Sequence, residues 1–466
     1  MTDNRAGSKT HSSDANASQT QTEQAALWGK QTALSLKYFA IGKEHFPPDF
    51  IFALVYIKKF AAQVNYANGH LSADGLEAIT IACRAILSGH HNTQFPLSVW
   101  QTGSGTQTNM NVNEVICALA NQHLSTHRAC DQHLHPNDHI NMSQSSNDVF
   151  PSAMHVVAAQ QTHAHLLPHL DKMIHCLEAK QDAFQDTYMV GRTHLMDAVP
   201  ISAGAMFSAY ATQLRDAKQH ILDVLPTVYR LALGGTAVGS GCNADENFGV
   251  LVAEKLAEQY QLPFVQHENL YAAVSGEDSL SRLSAACKQV SEVLLKMAND
   301  IRLLGSGPRC GIDELLLPAN EPGSSIMPGK VNPTQCEALS MICLQIQGND
   351  LSISLAASQG QLQLNTYRPL IIHNMLMTLN ILSDGIASFT ENCLQGLSLN
   401  VARIAEHMHD NLSVITLLAP KMGYDKATKI VKHAQQANVG LSEAAEALGI
   451  YQREEFQTLL DAALKG

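Results

Sequence analysis

The sequence is short of charge. Of its 466 residues only 15% are Asp, Glu, Lys or Arg, against 45% hydrophobic. So little charge implies much surface hidden from water, and a large subunit interface is the fair expectation. The charge that exists is mostly acidic, a formal net of −12. That argues against nucleic acid and anionic membranes as partners, and an anionic substrate would need a local pocket of donors. No C-x-x-C pair occurs among the ten cysteines, so reduced, mostly buried thiols are expected rather than a disulfide frame or a zinc site. No apolar run approaches the roughly 20 residues that span a bilayer. The opening stretch also lacks an apolar h-region, is poor in arginine and contains Asp3, Asp14 and Glu23. Residues 1–25 therefore read as a disordered tail rather than a secretory or mitochondrial leader. Internal repeats are missing as well.

What is present is helical period. In "SLSRLSAACKQVSEVLLKMANDIRLL" the apolar positions Leu280, Leu283, Cys287, Val290, Leu294, Met297, Ile301 and Leu304 step by three and four in turn. That heptad seam predicts one long helix packed in a left-handed bundle. Similar segments run over about 152–183, 206–225, 335–357 and 370–395, with short Gly/Pro-rich breaks and little strand-like alternation. The fold class is all-α, a long central bundle. After about Val401 the helices shorten, which predicts a small C-terminal domain. A chain this long exceeds one ordinary core.

Residues 318–332 form the longest break in helical period, and long irregular loops in compact domains are usually functional. Within it, "EPGSSIMPGKVNP" resembles a phosphate cradle only in its glycines. Gly323 and Gly329 enclose five residues rather than four, and Val331 replaces the Ser or Thr expected after Lys330. Asn332 as helix cap with Pro333 at the first helical position is a good start signal, and a helix N-terminus beside Lys330 would make a small anion site. The loop alone leaves open a flexible surface segment with an ordinary cap.

Hydroxyls and neutral amides are concentrated in "QTGSGTQTNMNVNE" (Gln101 to Glu114) and "SQSSND" (Ser143 to Asp148). Ser104, Thr106, Thr108, Gln107, Asn109, Asn111 and Asn113 could bind carboxylates without adding charge, or form a solvated polar turn. "GRTHLMD" carries His194, one of 22 histidines; His163, His165, His169 and His175 read as solvated surface. "HLHPNDH" superficially resembles a metal cluster, but Pro136 breaks its helical spacing.

Taken in order along the chain, these segments resemble the fumarase/aspartase superfamily, and most closely the iron-independent (class II) fumarases. The superfamily signature G-S-S-x-M-P-x-K-x-N is matched in full from Gly323 to Asn332. "TGSGTQTNMN", "HPNDHIN", "SQSSNDVFP", "GRTHL", "LALGGTAVG", "SGPRCG" and "GKVNPTQCEAL" also match in order, covering nearly the whole chain from about Leu27.

The resemblance implies an N-terminal domain over 26–143, a central bundle over 144–401 and a small C-terminal domain over 402–466. It further implies a homotetramer whose bundles form a twenty-helix core, with each active site drawn from three subunits. The implied reaction is the reversible hydration of fumarate to L-malate, a step of the tricarboxylic acid cycle, in the cytoplasm. No metal, nucleotide or iron–sulfur cofactor is implied. Ser324 resembles the base that takes the C3 proton of malate and leaves an aci-carboxylate carbanion; Lys330 supplies a cation and Asn332 assists. Ser104, Thr106, Ser145, Ser146, Asn147 and Thr193 are implied to bind substrate. His194, oriented by Glu337, resembles the pair that holds the catalytic water, as a carboxylate partner fixes an imidazole tautomer. His135, Asn137 and Asp138 match a second carboxylate site.

Some positions depart from the family pattern: Leu34 stands where an arginine is usual and Met196 where a glutamine is. Ala205 and Met206 stand where Gln-Glu follows the glycine, Gln363 stands where a glutamate is usual, and the usual acidic, glycine-containing N-terminal lead-in is missing. None belongs to the set Ser324, Lys330, Asn332, His194 and Glu337. The alternatives are another lyase of the superfamily, acting on aspartate or a succinyl adduct, or a catalytically silent scaffold.

Overall fold

A computed structural model of the chain describes residues 25–127, 133–321, 323 and 326–464. The expected tail lies outside these residues except for its last position. Four helices open the fold: α1 (Lys30–Tyr38), α2 (Pro48–Ala67), α3 (Ala73–Leu87) and α4 (Thr106–His127). The bundle follows. A π-turn at Thr162–Leu166 joins α5 (Ser146–Gln161) to α6 (Leu167–Phe184), and a hairpin of β1 (Tyr188–Thr193) and β2 (Met196–Ser202) leads into α7 (Ala203–Val228). Two short helices, α8 (Phe248–Tyr260) and α9 (Leu270–Ser275), precede α10 (Asp278–Leu304), α11 (Thr334–Ala357) and α12 (Arg368–Phe389). The C-terminal segment is short-helical: α13 (Val401–Asp410), α14 (Ala419–Met422), α15 (Tyr424–Ala437), α16 (Leu441–Ala447) and α17 (Arg453–Leu464). It packs a core of its own that includes Val414, Ile430, Ala444 and Phe456.

The seam read on α10 is the bundle core. Leu280, Leu283, Cys287, Val290, Leu294, Met297 and Ile301 are all fully buried. Each such side chain contributes roughly 1.5–3 kcal/mol, so the seam outweighs any exposed ion pair on the same helix. Polar cross-links fix how the helices run. Ser284 and Lys288 of α10 bond the Asp350 carboxylate of α11 at 2.7 and 2.8 Å. Asn349 of α11 bonds Thr378 of α12 at 3.1 Å, and Tyr210 of α7 bonds Asp300 of α10 at 2.8 Å.

These contacts make α10, α11 and α12 alternate in direction and give the bundle two distinct ends. One end gathers the N-termini of α5, α10 and α12 and the C-terminus of α11. The opposite end gathers the hairpin, the N-termini of α7 and α11, and residues 305–321 and 326–333.

Two features correct the sequence reading. Arg368–Leu394 is long and apolar enough, by length and composition, to cross a membrane. Its apolarity has a packing cause: Ile371, Ile372, Met375, Leu379, Leu382 and Ile386 are buried among the other bundle helices. Two of the histidines read as solvated are tied into the bundle instead. His163 bonds the Tyr229 hydroxyl at 2.6 Å and His169 bonds Ser383 at 2.8 Å.

Helix α11 has apolar residues on its outer face as well. Met341, Leu344, Leu351 and Leu355 are 57–66% exposed, and with Gly348 they step 3, 4, 3, 4, a second heptad seam with no partner among the described residues. A Cβ at Gly348 would meet nothing within 4 Å.

Candidate active site

The hydroxyl-rich segments meet at the first of the two bundle ends. Thr106 opens α4 and Ser146 opens α5, and their hydroxyls bond each other at 2.6 Å; Ser104 bonds Thr106 at 2.8 Å. Ser145 caps α5 in a capping box with Asp148, while Asn147 donates from its amide to Ala237 O at 2.8 Å. Ser104, Thr106, Ser145, Ser146 and Asn147 thus fall together at the adjoining N-termini of α4 and α5, one polar cluster, the cup. The helix dipoles there favour an anion such as a carboxylate.

The amides of the first segment do something else. Asn109 and Asn113 both donate to Asn141 Oδ1 at 3.2 Å, Asn111 to Gln94 O at 3.1 Å, and the Gln107 carbonyl accepts from Thr102 N at 2.8 Å. Asn109, Asn111 and Asn113 are buried, so they are internal struts rather than ligand groups or a solvated turn.

Sequence reasoning missed the charges around the cup. Asp148 is fully buried and accepts from the backbone N–H of Ser145 at 2.9 Å, Gly234 at 3.2 Å and Thr236 at 2.9 Å. Burial pushes its carboxyl up to about 6, against those bonds and the attraction of Lys58. Lys58 of α2 is also fully buried, with its ammonium on Asn141 Oδ1 at 2.8 Å. A lysine inside "IFALVYIKKFAAQV" was the available signal.

Burial lowers the Lys58 ammonium to about 7 from an ordinary 10.5. Between those values the unfolded chain holds a proton that the folded chain has released. Stability therefore rises as pH goes from 7 toward 10.5 and falls back as pH drops over the same range, levelling off below 7 where both states hold the proton. Thermal unfolding should show the wild type gaining on Lys58→Met between pH 7 and 10; a difference that stays flat over that range would exclude a buried, perturbed ammonium.

At the opposite end stands the hairpin. Arg192 makes a two-pronged bond to the buried Glu314 carboxylate at 2.7 and 2.8 Å, and His407 Nδ1 meets the same carboxylate at 2.7 Å. Thr193 and His194 are exposed at the hairpin tip. His194 and Leu195 form the two-residue turn with φ of 57° and 63°. Left-handed backbone at two non-glycine residues is costly, and such strain concentrates at functional sites.

The loop at 318–333 is pinched into a neck. Gly323 N donates to Lys330 O at 3.0 Å, Asn332 Nδ2 donates to Gly323 O at 2.7 Å, and Lys330 Nζ donates to Asn332 Oδ1 at 2.8 Å. A Cβ on Gly323 would lie 2.3 Å from Lys330 O, so the neck demands glycine there. The side chain of Asn332 is therefore not the helix cap that its position beside proline predicts. The helix starts at Thr334, Pro333 occupies the cap position, and no side chain caps it. Ser324 lies outside the described residues. Glu337 sits in the first turn of α11, where Arg302 approaches it at 3.8 Å; among the described residues it makes no bond to His194 in the same chain.

His135 and Asp138 pair at 3.1 Å on an exposed π-turn, Pro136–Ile140, that also carries Asn137. No group of three or more His, Cys, Asp or Glu among the described residues is placed to hold a metal ion. The nine described cysteines are free, and six of them are buried. Leu34, Met196, Ala205 and Gln363 are exposed and Met206 is half-buried; nothing in the chain explains why they changed together.

The chain has close relatives. A family model described as Lyase matches residues 18–348, and one described as Fumarase C C-terminus matches 414–464. The fumarate hydratase class II of Chromobacterium violaceum is 50% identical over 432 residues, covering 93% of this chain and 94% of its own. That of Thermosynechococcus vestitus is 49% identical over 429 residues, covering 92% of each. Among solved structures, the recombinant class II fumarase from Schistosoma mansoni matches with a TM-score of 0.88 at 42% identity, covering 94% of this chain and 95% of that one. The fumarate lyase:delta crystallin from Brucella melitensis bound to cobalt matches at 0.89 and 36%, covering 95% and 96%.

Proposed function

The chain belongs to the class II fumarate hydratases, hydro-lyases that interconvert fumarate and L-malate, and from that premise we propose that its active sites are composite, each assembled from three copies of the chain in a homotetramer. One observation carries this. The polar cup lies at the C-terminal end of α11 and Lys330 and Asn332 at its N-terminal end, and 24 residues of helix separate them by about 36 Å. The hairpin with Thr193 and His194 is farther still, since the α5–α6 path from Ser146 to Phe184 is about 58 Å long. A dicarboxylate a few ångströms long cannot touch groups so far apart in one molecule. Copies packed with their bundles antiparallel would bring the cup of one against the 318–333 loop (the flap) and the hairpin of others. The unpartnered stripe on α11 supports such packing.

In that site the cup binds a substrate carboxylate, Lys330 with Asn332 holds the other end of the dianion, and Ser324 takes the C3 proton of malate. A serine hydroxyl becomes a competent base only where its alkoxide is stabilised by donors and a nearby cation, the role given to Lys330. His194, oriented by Glu337 from another copy, holds the water added across the double bond. His135, Asn137 and Asp138 form a second carboxylate site on the surface. The free thiols support a reducing compartment, the cytoplasm.

The test uses purified protein and follows fumarate by its ultraviolet absorbance, with malate, aspartate and argininosuccinate supplied separately. Malate alone should yield fumarate. Fumarate from aspartate but not from malate would overturn the reaction assigned here, and turnover of none would mark a silent scaffold.

A further inference from the structure

Two walls of the cup hang from one residue that is not itself exposed to substrate. Arg368, the first residue of α12, is wholly buried. Its backbone N–H donates to Gly103 O at 3.0 Å, one position from Ser104. Its guanidinium donates from Nη1 to Asn147 O at 2.8 Å, from Nη2 to Val274 O at 2.6 Å, and from Nε to Glu277 Oε1 at 2.6 Å. The same residue thus holds the wall that begins α4 and the wall that begins α5.

The attachment is rigid on both sides. A Cβ at Gly103 would lie 1.4 Å from Thr366 O, so residues 366–368 run directly against the Gly103–Thr106 wall. Asn365 locks that turn, donating to Ala356 O and Gln359 O at 3.1 Å each and accepting from Tyr367 N at 2.8 Å. Asn147 is held at its side chain by Ala237 O and at its backbone by Arg368. A planar guanidinium with donors fixed in direction can span three acceptors at set distances.

Stability alone gives no reason for this arrangement. A buried ion pair is often no better for stability than apolar side chains of similar volume. We propose that Arg368 is a positioning residue for the hydration reaction: it sets the spacing between the Ser104–Thr106 and Ser145–Asn147 walls, and hence the fit of the substrate carboxylate. The backbone carbonyls of Asn147 and Val274 direct the guanidinium, and Glu277 balances its buried charge. The proposal rests on reading the cup as substrate-binding.

The experiment measures KM and kcat for malate, melting temperature and oligomeric state of the full-length protein. The double variant Arg368→Met/Glu277→Met keeps volume and removes both charges. It is expected to stay associated and keep kcat within about threefold, with KM raised about ten- to a hundredfold, the scale of a small misplacement. Arg368→Lys, which keeps a cation able to reach Asn147 O, should recover most of that loss. Glu277→Gln should lower the melting temperature while KM stays within about threefold, because both backbone acceptors of Arg368 remain. An unchanged KM in the associated double variant overturns the proposal. So does a KM that follows melting temperature variant by variant, and this comparison needs only the two single variants should the double one not fold. Thr106→Val is measured alongside. A raised KM there with an unchanged one in the Arg368 variants defeats the positioning role alone, whereas an unchanged KM in Thr106→Val defeats the cup as substrate site and the proposal with it.

Discussion

Ser324→Ala is expected to lower kcat for malate by about three orders of magnitude, within the range for loss of a general base, while the protein stays folded and associated. KM should change little, because a base acts on the reacting proton and contributes mainly in the transition state. The surroundings support this assignment. Lys330 Nζ is held by Asn332 Oδ1 at 2.8 Å, and the neck closes at Gly323, the residue immediately before Ser324. The C3 proton of malate is only weakly acidic, so a neutral hydroxyl without that cation would not remove it at a useful rate. Steady-state kinetics with sedimentation on the same sample decide the matter. Turnover within about threefold of the wild type would place the base elsewhere.

The second large effect is a recovery. Ser324→Ala carries an intact cup and a disabled flap; Thr106→Val/Ser146→Ala carries the reverse. Each alone should be nearly inactive. Unfolded together in equal amounts and refolded, they should regain activity in about a quarter of their sites, the random chance that an intact cup meets an intact flap in a closed symmetric assembly. The same variants refolded separately and then mixed should stay inactive until subunits exchange. If a single chain supplied the whole site, co-refolding would restore nothing. Recovery therefore distinguishes composite sites from sites complete within one copy, whatever the identity of the base.

The long helices were legible because their apolar spacing is regular. The α10 seam from Leu280 to Ile301 is buried as the heptad predicts, and the motif segments fall at helix starts and loops. The helix start at Asn332 was misread: a sequence shows that Asn precedes Pro, but not that Gly323, nine positions earlier, competes for its side chain. The buried partners were illegible for a similar reason. Arg368 sits in "NTYRPL" beside an exposed Tyr367, and only the meeting of residues 103, 147, 274 and 277 reveals its four hydrogen bonds. Asp148 is an ordinary polar letter until burial changes its proton affinity, and Lys58 stands out only by the apolar run around it. The separation of cup and flap could be estimated from helix length alone once the ends of α11 were known.

The stripe of Met341, Leu344, Gly348, Leu351 and Leu355 also bears on how this protein withstands heat and dilution. A lone chain would present four large apolar side chains in register to water. In the proposed tetramer, association that covers them would favour the assembled native state by mass action, making concentration a determinant of stability. On that proposal a hundredfold dilution should act as a mild denaturant, and the melting temperature is expected to climb as the protein is concentrated.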